Sequence, residues 1–235
     1  MLAELKESVW KANLDLAKSG LVILTFGNVS GIDRRRGIIA IKPSGVPYDA
    51  LKAEDIVLVD LKGNVIEGWL NPSSDTPTHV EIYGAFPDVG GVVHAHSPYA
   101  TMFSQARREI PCFGTTHADQ FHGPVPLTRL LVEPEVADDY EKNTGRIIVE
   151  RFAGVDPLEV PAVLVAGHGP FAWGRTAAEA VEVALVLEQI AKMAFGAMAL
   201  DPHLAPLDAC IQEKHFARKH GPNAYYGQKK EGGHD

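Results

Sequence analysis

Two histidines one residue apart close an apolar stretch at Gly90-Gly91-Val92-Val93-His94-Ala95-His96. Side chains alternate across a strand, so His94 and His96 face one side and reach a single cation through imidazole nitrogens. His168 follows a second apolar stretch, Val163-Leu164-Val165-Ala166, between Gly167 and Gly169, glycines that let a ligand approach. Three histidines so placed outline a catalytic divalent-metal site with an open coordination position. An HxH pair alone reads equally well as strand-end histidines bonded to loops; the matching setting of His168 favours the metal. Asp75 is a candidate fourth ligand, while an Asp before Thr76-Pro77 is also what a helix N-cap requires, and both roles are open.

Three loops of small and hydroxyl residues recur: Gly27-Asn28-Val29-Ser30, Lys42-Pro43-Ser44-Gly45 and Pro72-Ser73-Ser74. Their backbone N–H groups and hydroxyls suit a phosphate, helped by a helix N-terminus after Ser74 and by Lys42. Such segments are also ordinary turns. The sequence contains neither GxxxxGK[ST] nor a GxGxxG after a strand, so a nucleotide is not the implied ligand.

The elements that must hold these residues are legible in outline. Leu2, Leu5, Val9, Ala12 and Leu16 repeat at helical spacing and predict a first helix over 2–18, ended near Gly20. Val22–Phe26, Gly37–Ile41, Ile56–Asp60, Gly90–His96 and Val160–Ala166 read as strands. A second helix is expected from Thr76, a third over 134–153, and a long one from Thr176 to about Leu200, opened by a capping box of Thr176 and Glu179. Together these predict an α/β fold with a central antiparallel or mixed sheet flanked by helices. The tail after Lys214 is polar, and Lys229–Asp235 read as disordered.

With 235 residues and 46% hydrophobic content the chain suits one domain, 1–235. Its formal charge of -8 and lack of a basic tract argue against nucleic acid. Cys112 and Cys210 stand far apart without a CxxC, which fits a reducing compartment and excludes a disulfide scaffold. The charged start, Met1 to Glu7, is no signal peptide, and the longest apolar runs read as too short to span a membrane, so a cytoplasmic protein is expected.

Seven blocks in order carry a resemblance along essentially the whole chain: Thr25–Ser30, Ile41–Gly45, Pro72–His79 (PSSDTPTH), His94–Ser97, Gly114–Asp119 (GTTHAD), Gly167–Phe171 and Lys219–Gln228. They resemble the class II aldolase and ribulose-phosphate 4-epimerase family, whose fold is a three-layer α/β/α arrangement. Asp75 stands where the aldolases place Glu, and the SSDTPTH and THAD segments resemble the epimerase branch. The resemblance implies a metal-dependent epimerase that interconverts L-ribulose 5-phosphate and D-xylulose 5-phosphate by retro-aldol cleavage and re-addition. A sugar-phosphate aldolase of the fuculose-phosphate type is the alternative, and a non-catalytic metal- or sugar-binding protein a remote one.

Carried onto this sequence, the resemblance implies that Asp75, His94, His96 and His168 bind the metal, usually zinc (Zn2+), with manganese or another divalent cation as alternatives. Gly27, Asn28, Ser44, Gly45, Ser73 and Ser74 would hold the sugar phosphate, with Lys42, Thr115, Glu141, His215 and Arg218 also functional. Asp119 and Tyr226 would transfer protons. A homotetramer is implied, with the tail 214–235 reaching a neighbouring subunit's site.

Overall fold

The computed structural model describes residues 2–227; the disorder expected of Lys229–Asp235 lies outside the described residues. The chain opens with helix α1, Leu2–Lys18, which Gly20 ends in the left-handed region at φ 76°. Strands β1 (Asn28–Asp33), β2 (Ile38–Ile41), β3 (Val57–Asp60) and β4 (Val65–Glu67) follow, then helix α2 (Thr76–Ala85), strand β5 (Gly91–His94) and helix α3 (Pro98–Ala106). The remainder comprises α4 (Thr115–Ala118), α5 (Glu133–Ala137), α6 (Tyr140–Arg151), β6 (Ala162–Leu164), β7 (Pro170–Gly174), α7 (Ala177–Leu200) and α8 (Ala209–His220).

The strands form one seven-stranded sheet in the order β4-β3-β2-β1-β5-β7-β6, antiparallel at every pairing. Adjacent residues of β1 show the two covered faces. Ser30 bonds His79 and Tyr83 of α2, while a Cβ on Gly31 would lie 2.9 Å from Val9 of α1 and 3.7 Å from Ala177 of α7. Helices thus cover both faces, giving the three-layer α/β/α arrangement expected.

A row of glycines sets how closely the helices lie. Gly31, Gly91 and Gly174 stand opposite one another across β1, β5 and β7. A Cβ on Gly91 would sit 2.4 Å from both Thr176 O and Ala177 N, and one on Gly174 would sit 2.7 Å from Glu179 Cγ. The start of α7 therefore rests directly on backbone. On the opposite face Trp173 packs against Phe86 and Phe152 with ring centroids 5.4 and 5.0 Å away. Fully burying such an aromatic ring contributes about 1.5–3 kcal/mol.

Asn13, buried on α1, ties that helix to the sheet: its Nδ2 donates to Val29 O at 3.1 Å and its Oδ1 accepts from Val29 N at 2.9 Å. A buried amide satisfied on both sides fixes the height of β1 immediately after Asn28.

Several sequence expectations need correction. Val22–Phe26 is not a strand: Leu24 has φ 54°, and Ile23, Leu24 and Phe26 are 50–81% exposed, so the segment turns outward. The helix expected over 134–153 is two, α5 and α6, parted where Asp139 takes φ 53°. The box opening α7 is half formed: Thr176 Oγ1 accepts from Glu179 N, but Glu179 Oε2 accepts from Arg175 N rather than from the cap. That helix is also long and apolar enough by length and composition to cross a membrane, contrary to the reading of the apolar runs. Its buried residues, from Ala177 through Leu187 to Ala194, are packed in this core.

Candidate metal centre and active site

Most of the candidate residues gather where strands end. His94 is the last residue of β5, and His96 lies two residues beyond it rather than within the strand. Their Nε2 atoms are nevertheless 3.1 Å apart. His168 lies in the turn between β6 and β7, and the ligand atoms of the three histidines all fall within 4.8 Å of one another. Gly169 permits this approach, since a Cβ there would press within 3.1 Å of His96 and 3.2 Å of Ala95 O.

The His94 ring is held on two sides. Its Nδ1 lies 2.9 Å from Pro170 O, so it carries the proton and donates, which leaves Nε2 as a lone pair aimed at the cluster. Phe171 stacks against the ring at 4.2 Å and 16°. Burial, ahead of repulsion by His94 and His96, pushes His168 down to about 4, and burial lowers His96 as well. Both rings are neutral near pH 7, as ligation of a cation requires.

Asp75 lines the same cavity without joining the three-histidine cluster. Its carboxylate accepts from Asn28 Nδ2 at 2.7 Å. Burial raises its pKa, but nearby His94 and His79 and the Asn28 bond outweigh burial and hold it below the usual range. It makes no side-chain cap for α2; of the two roles open from sequence, capping is not used.

The three small-residue loops converge on this cavity of about 410 Å³, together with Asp75, Tyr140, Glu141 and the histidines. Ser73 N donates to Lys42 O and Ser44 N to Asn71 O, each at 3.0 Å, so the second and third loops are laced together. Gly27, Asn28, Lys42, Ser44, Gly45, Ser73, Ser74 and Glu141 therefore share one wall system with Asp75, His94, His96 and His168. Tyr140, which the sequence reading passed over beside Glu141, places its ring 6.4 Å from that of His168.

Five expected residues lie elsewhere. Asp119, at the end of α4, receives Arg218 Nε at 2.9 Å and Nη2 at 2.6 Å, and His215 Nδ1 stands 3.0 Å from Oδ1. Burial raises the Asp119 carboxyl, but the Arg218 and His215 bonds prevail and keep it below its ordinary value. The Tyr226 ring stacks over Arg218, 5.1 Å from its guanidinium carbon. Thr115 starts α4 and accepts the Asp119 N–H on its carbonyl. None of these five lines the cavity of its own chain.

A divalent cation fits the first cluster. It offers three imidazole ligand atoms, an adjacent carboxylate and, among the described residues, two buried polar atoms without a hydrogen-bond partner, His168 Nδ1 and Asn28 Oδ1.

The chain is similar to known proteins along most of its length. Residues 7–195 match the family described as Class II Aldolase and Adducin N-terminal domain. The L-ribulose-5-phosphate 4-epimerase UlaF of Salmonella paratyphi C (strain RKS4594) is 54% identical over 97% of this chain and 100% of its own. An L-fuculose 1-phosphate aldolase superposes with a TM-score of 0.76 at 27% identity, covering 90% of this chain and 94% of that one. YgbL of Klebsiella pneumoniae, a putative aldolase/epimerase/decarboxylase, does so with a TM-score of 0.71 at 26% identity over 90% and 97%. Matched over most of its length by the family and along nearly all of it by a relative, the chain belongs to the Class II Aldolase and Adducin N-terminal domain family.

Proposed function

We propose that the chain inverts the fourth carbon of L-ribulose 5-phosphate to give D-xylulose 5-phosphate. The observation that carries this reading is the three-histidine cluster sharing one cavity with Asp75, Asn28 and the hydroxyl-bearing loops. The 54% identity to a 4-epimerase supports it. The 27%-identical L-fuculose 1-phosphate aldolase favours, more weakly, net aldol cleavage as a second reading.

The hydrogen on the fourth carbon is not adjacent to the ketone, so its removal gives no stabilised anion. The hydroxyl on that carbon is β to the ketone, so taking its proton breaks the bond between the third and fourth carbons. The fragments are the enediolate of dihydroxyacetone and glycolaldehyde phosphate. His94, His96 and His168, with Asp75 beside them, would hold a divalent cation, which would supply Lewis-acid stabilisation of developing negative charge. Asn28, Ser44, Ser73 and Lys42 grip the phosphate. Because the phosphate rides on the aldehyde, the same grip retains that fragment while it turns to present its other face.

Two faces of one aldehyde need two proton-handling groups, assigned here to Asp119 and Tyr226. Arg218 and His215 keep Asp119 ionised, the form a proton acceptor must have. Since neither residue lines its own chain's cavity, the pair would serve a neighbouring subunit, with the tail 214–235 crossing to that site. A single-domain chain in a homotetramer, with zinc as the resident ion and a cytoplasmic location, completes the reading; the free thiols Cys112 and Cys210 fit the compartment. Incubation with L-ribulose 5-phosphate and divalent metal tests it. D-xylulose 5-phosphate is the expected product, whereas accumulation of dihydroxyacetone and glycolaldehyde phosphate would favour the aldolase.

A further inference from the structure

Tyr48 lies beneath the anion-facing wall of the cavity, 8% exposed and not itself lining the space. Its hydroxyl donates to Gly27 O at 2.8 Å, with Phe26 O further off at 3.3 Å. Its ring lies 4.7 Å below Lys42 Nζ. One side chain therefore touches both walls that would grip a phosphate: the peptide entering Asn28 and the ammonium of Lys42.

Each contact is demanding. Gly27 takes φ 91°, and a Cβ there would meet His94 O at 3.1 Å and the Tyr48 hydroxyl at 3.4 Å, so this peptide is wedged between the end of β5 and the phenol. Lys42 is 1% exposed, its other Nζ contacts are Pro43 O at 3.3 Å and Thr25 O at 3.5 Å, and among the described residues it has no carboxylate partner. A carboxylate would cancel the charge a phosphate needs, whereas an aromatic face steadies an ammonium and leaves its charge available. Burial raises the Tyr48 pKa well above the ordinary phenol value, so the hydroxyl remains a donor throughout the neutral range.

We propose that Tyr48 is a positioning residue for the reaction proposed above, holding the Phe26-Gly27-Asn28 backbone and the Lys42 ammonium at the spacing the substrate phosphate requires. It acts on binding rather than on chemistry. Tyr48→Phe keeps the ring under Lys42 and removes the bond to Gly27 O; Tyr48→Leu removes both supports.

The test uses the full-length, metal-loaded protein. Inorganic phosphate affinity is measured by calorimetry, beside kcat, KM and metal content. For Tyr48→Phe the dissociation constant of phosphate and the KM are expected to rise together by roughly 3- to 10-fold, the loss of about one neutral hydrogen bond. Both kcat and metal content should hold, and Tyr48→Leu should show a larger rise. Unchanged phosphate affinity and KM in Tyr48→Phe overturn the proposal. So does a fall in kcat and metal content with phosphate affinity retained, which would mark a purely structural role. Phosphate binding needs no turnover, so a wild-type protein that binds phosphate but does not epimerise sinks the reaction alone, and one that epimerises but binds no phosphate sinks the Tyr48 proposal alone.

Discussion

Asn28 stands directly across from His94 in the pairing of β1 with β5. The loop assigned to the phosphate and the strand end carrying the histidines thus share one ladder, and neither shifts without the other. The Asn28 amide also donates to Asp75 and Ser73, while its Oδ1 is buried with no partner among the described residues. Asn28→Ala should raise the KM and the inhibition constant of inorganic phosphate by roughly 10- to 100-fold, since hydrogen bonds to charged groups contribute about 1.5–3 kcal/mol. Unchanged phosphate inhibition would remove Asn28 from the site.

Replacing His94, His96 or His168 by Ala should strip the bound divalent ion and reduce turnover to near background. His94→Ala should additionally lower the unfolding midpoint, because its ring is buried against Phe171, whereas His96 is only half-buried. Elemental analysis of purified variants decides the matter: normal metal stoichiometry in His96→Ala would sink the assignment.

Burial pushes Lys42 down to about 8. The charged form binds phosphate, so affinity is full below that pH and is lost as pH rises through it. In the range where the phosphate is already doubly ionised, above its second pKa of about 6, kcat/KM should level off below pH 8 and fall about tenfold per unit above it. Lys42→Met should lower the plateau and abolish this alkaline limb. A limb that survives the substitution belongs to another group.

Asp119→Asn and Tyr226→Phe preserve shape and remove proton transfer. Each should keep its metal and lose epimerisation by about 10²–10⁴-fold, with slow release of dihydroxyacetone and glycolaldehyde phosphate remaining possible from the side still served. Mixing Asp119→Asn chains with His96→Ala chains tests assembly between subunits, because random association restores intact sites at about a quarter of the interfaces. No recovery on mixing and refolding would place the whole site in one chain.

The glycine row makes a prediction about stability. Gly91→Ala forces a Cβ into the Thr176–Ala177 backbone and should cost about 1–3 kcal/mol or more. Gly84, exposed in α2 with nothing within 4 Å of a built Cβ, offers the contrast. Gly84→Ala should stabilise by about 0.5–1 kcal/mol through helix propensity. Denaturant midpoints that move in the same direction would contradict this account.

The histidines were legible because their chemistry depends on a short pattern, an apolar run that ends in a ligand, and that pattern survives without knowledge of the fold. The element limits around them were less so. Val22–Phe26 has strand-forming residues, yet no strand among the described residues pairs with it, and Leu24 adopts a left-handed turn that composition does not announce. Asp138-Asp139 parts two helices through one backbone angle inside an otherwise helical pattern. Asn13 and Tyr48 carried no signal in the sequence, because their importance comes from partners 16 and 21 residues away. Asp119 and Tyr226 were found only through family resemblance, and their distance from the cavity depends on how subunits meet.

The antiparallel ladder sorts the molecule into two rims. Asn28 begins β1, Lys42 follows β2, His94 ends β5 and His168 precedes β7, so these four strands each place a cavity-lining residue at the same rim. The turn joining β1 to β2, with Arg35 and Arg36 exposed, lies at the other. That remote hairpin is the natural place to splice in a reporter domain or to open new chain termini, because the sheet insulates the chemistry from whatever is attached there.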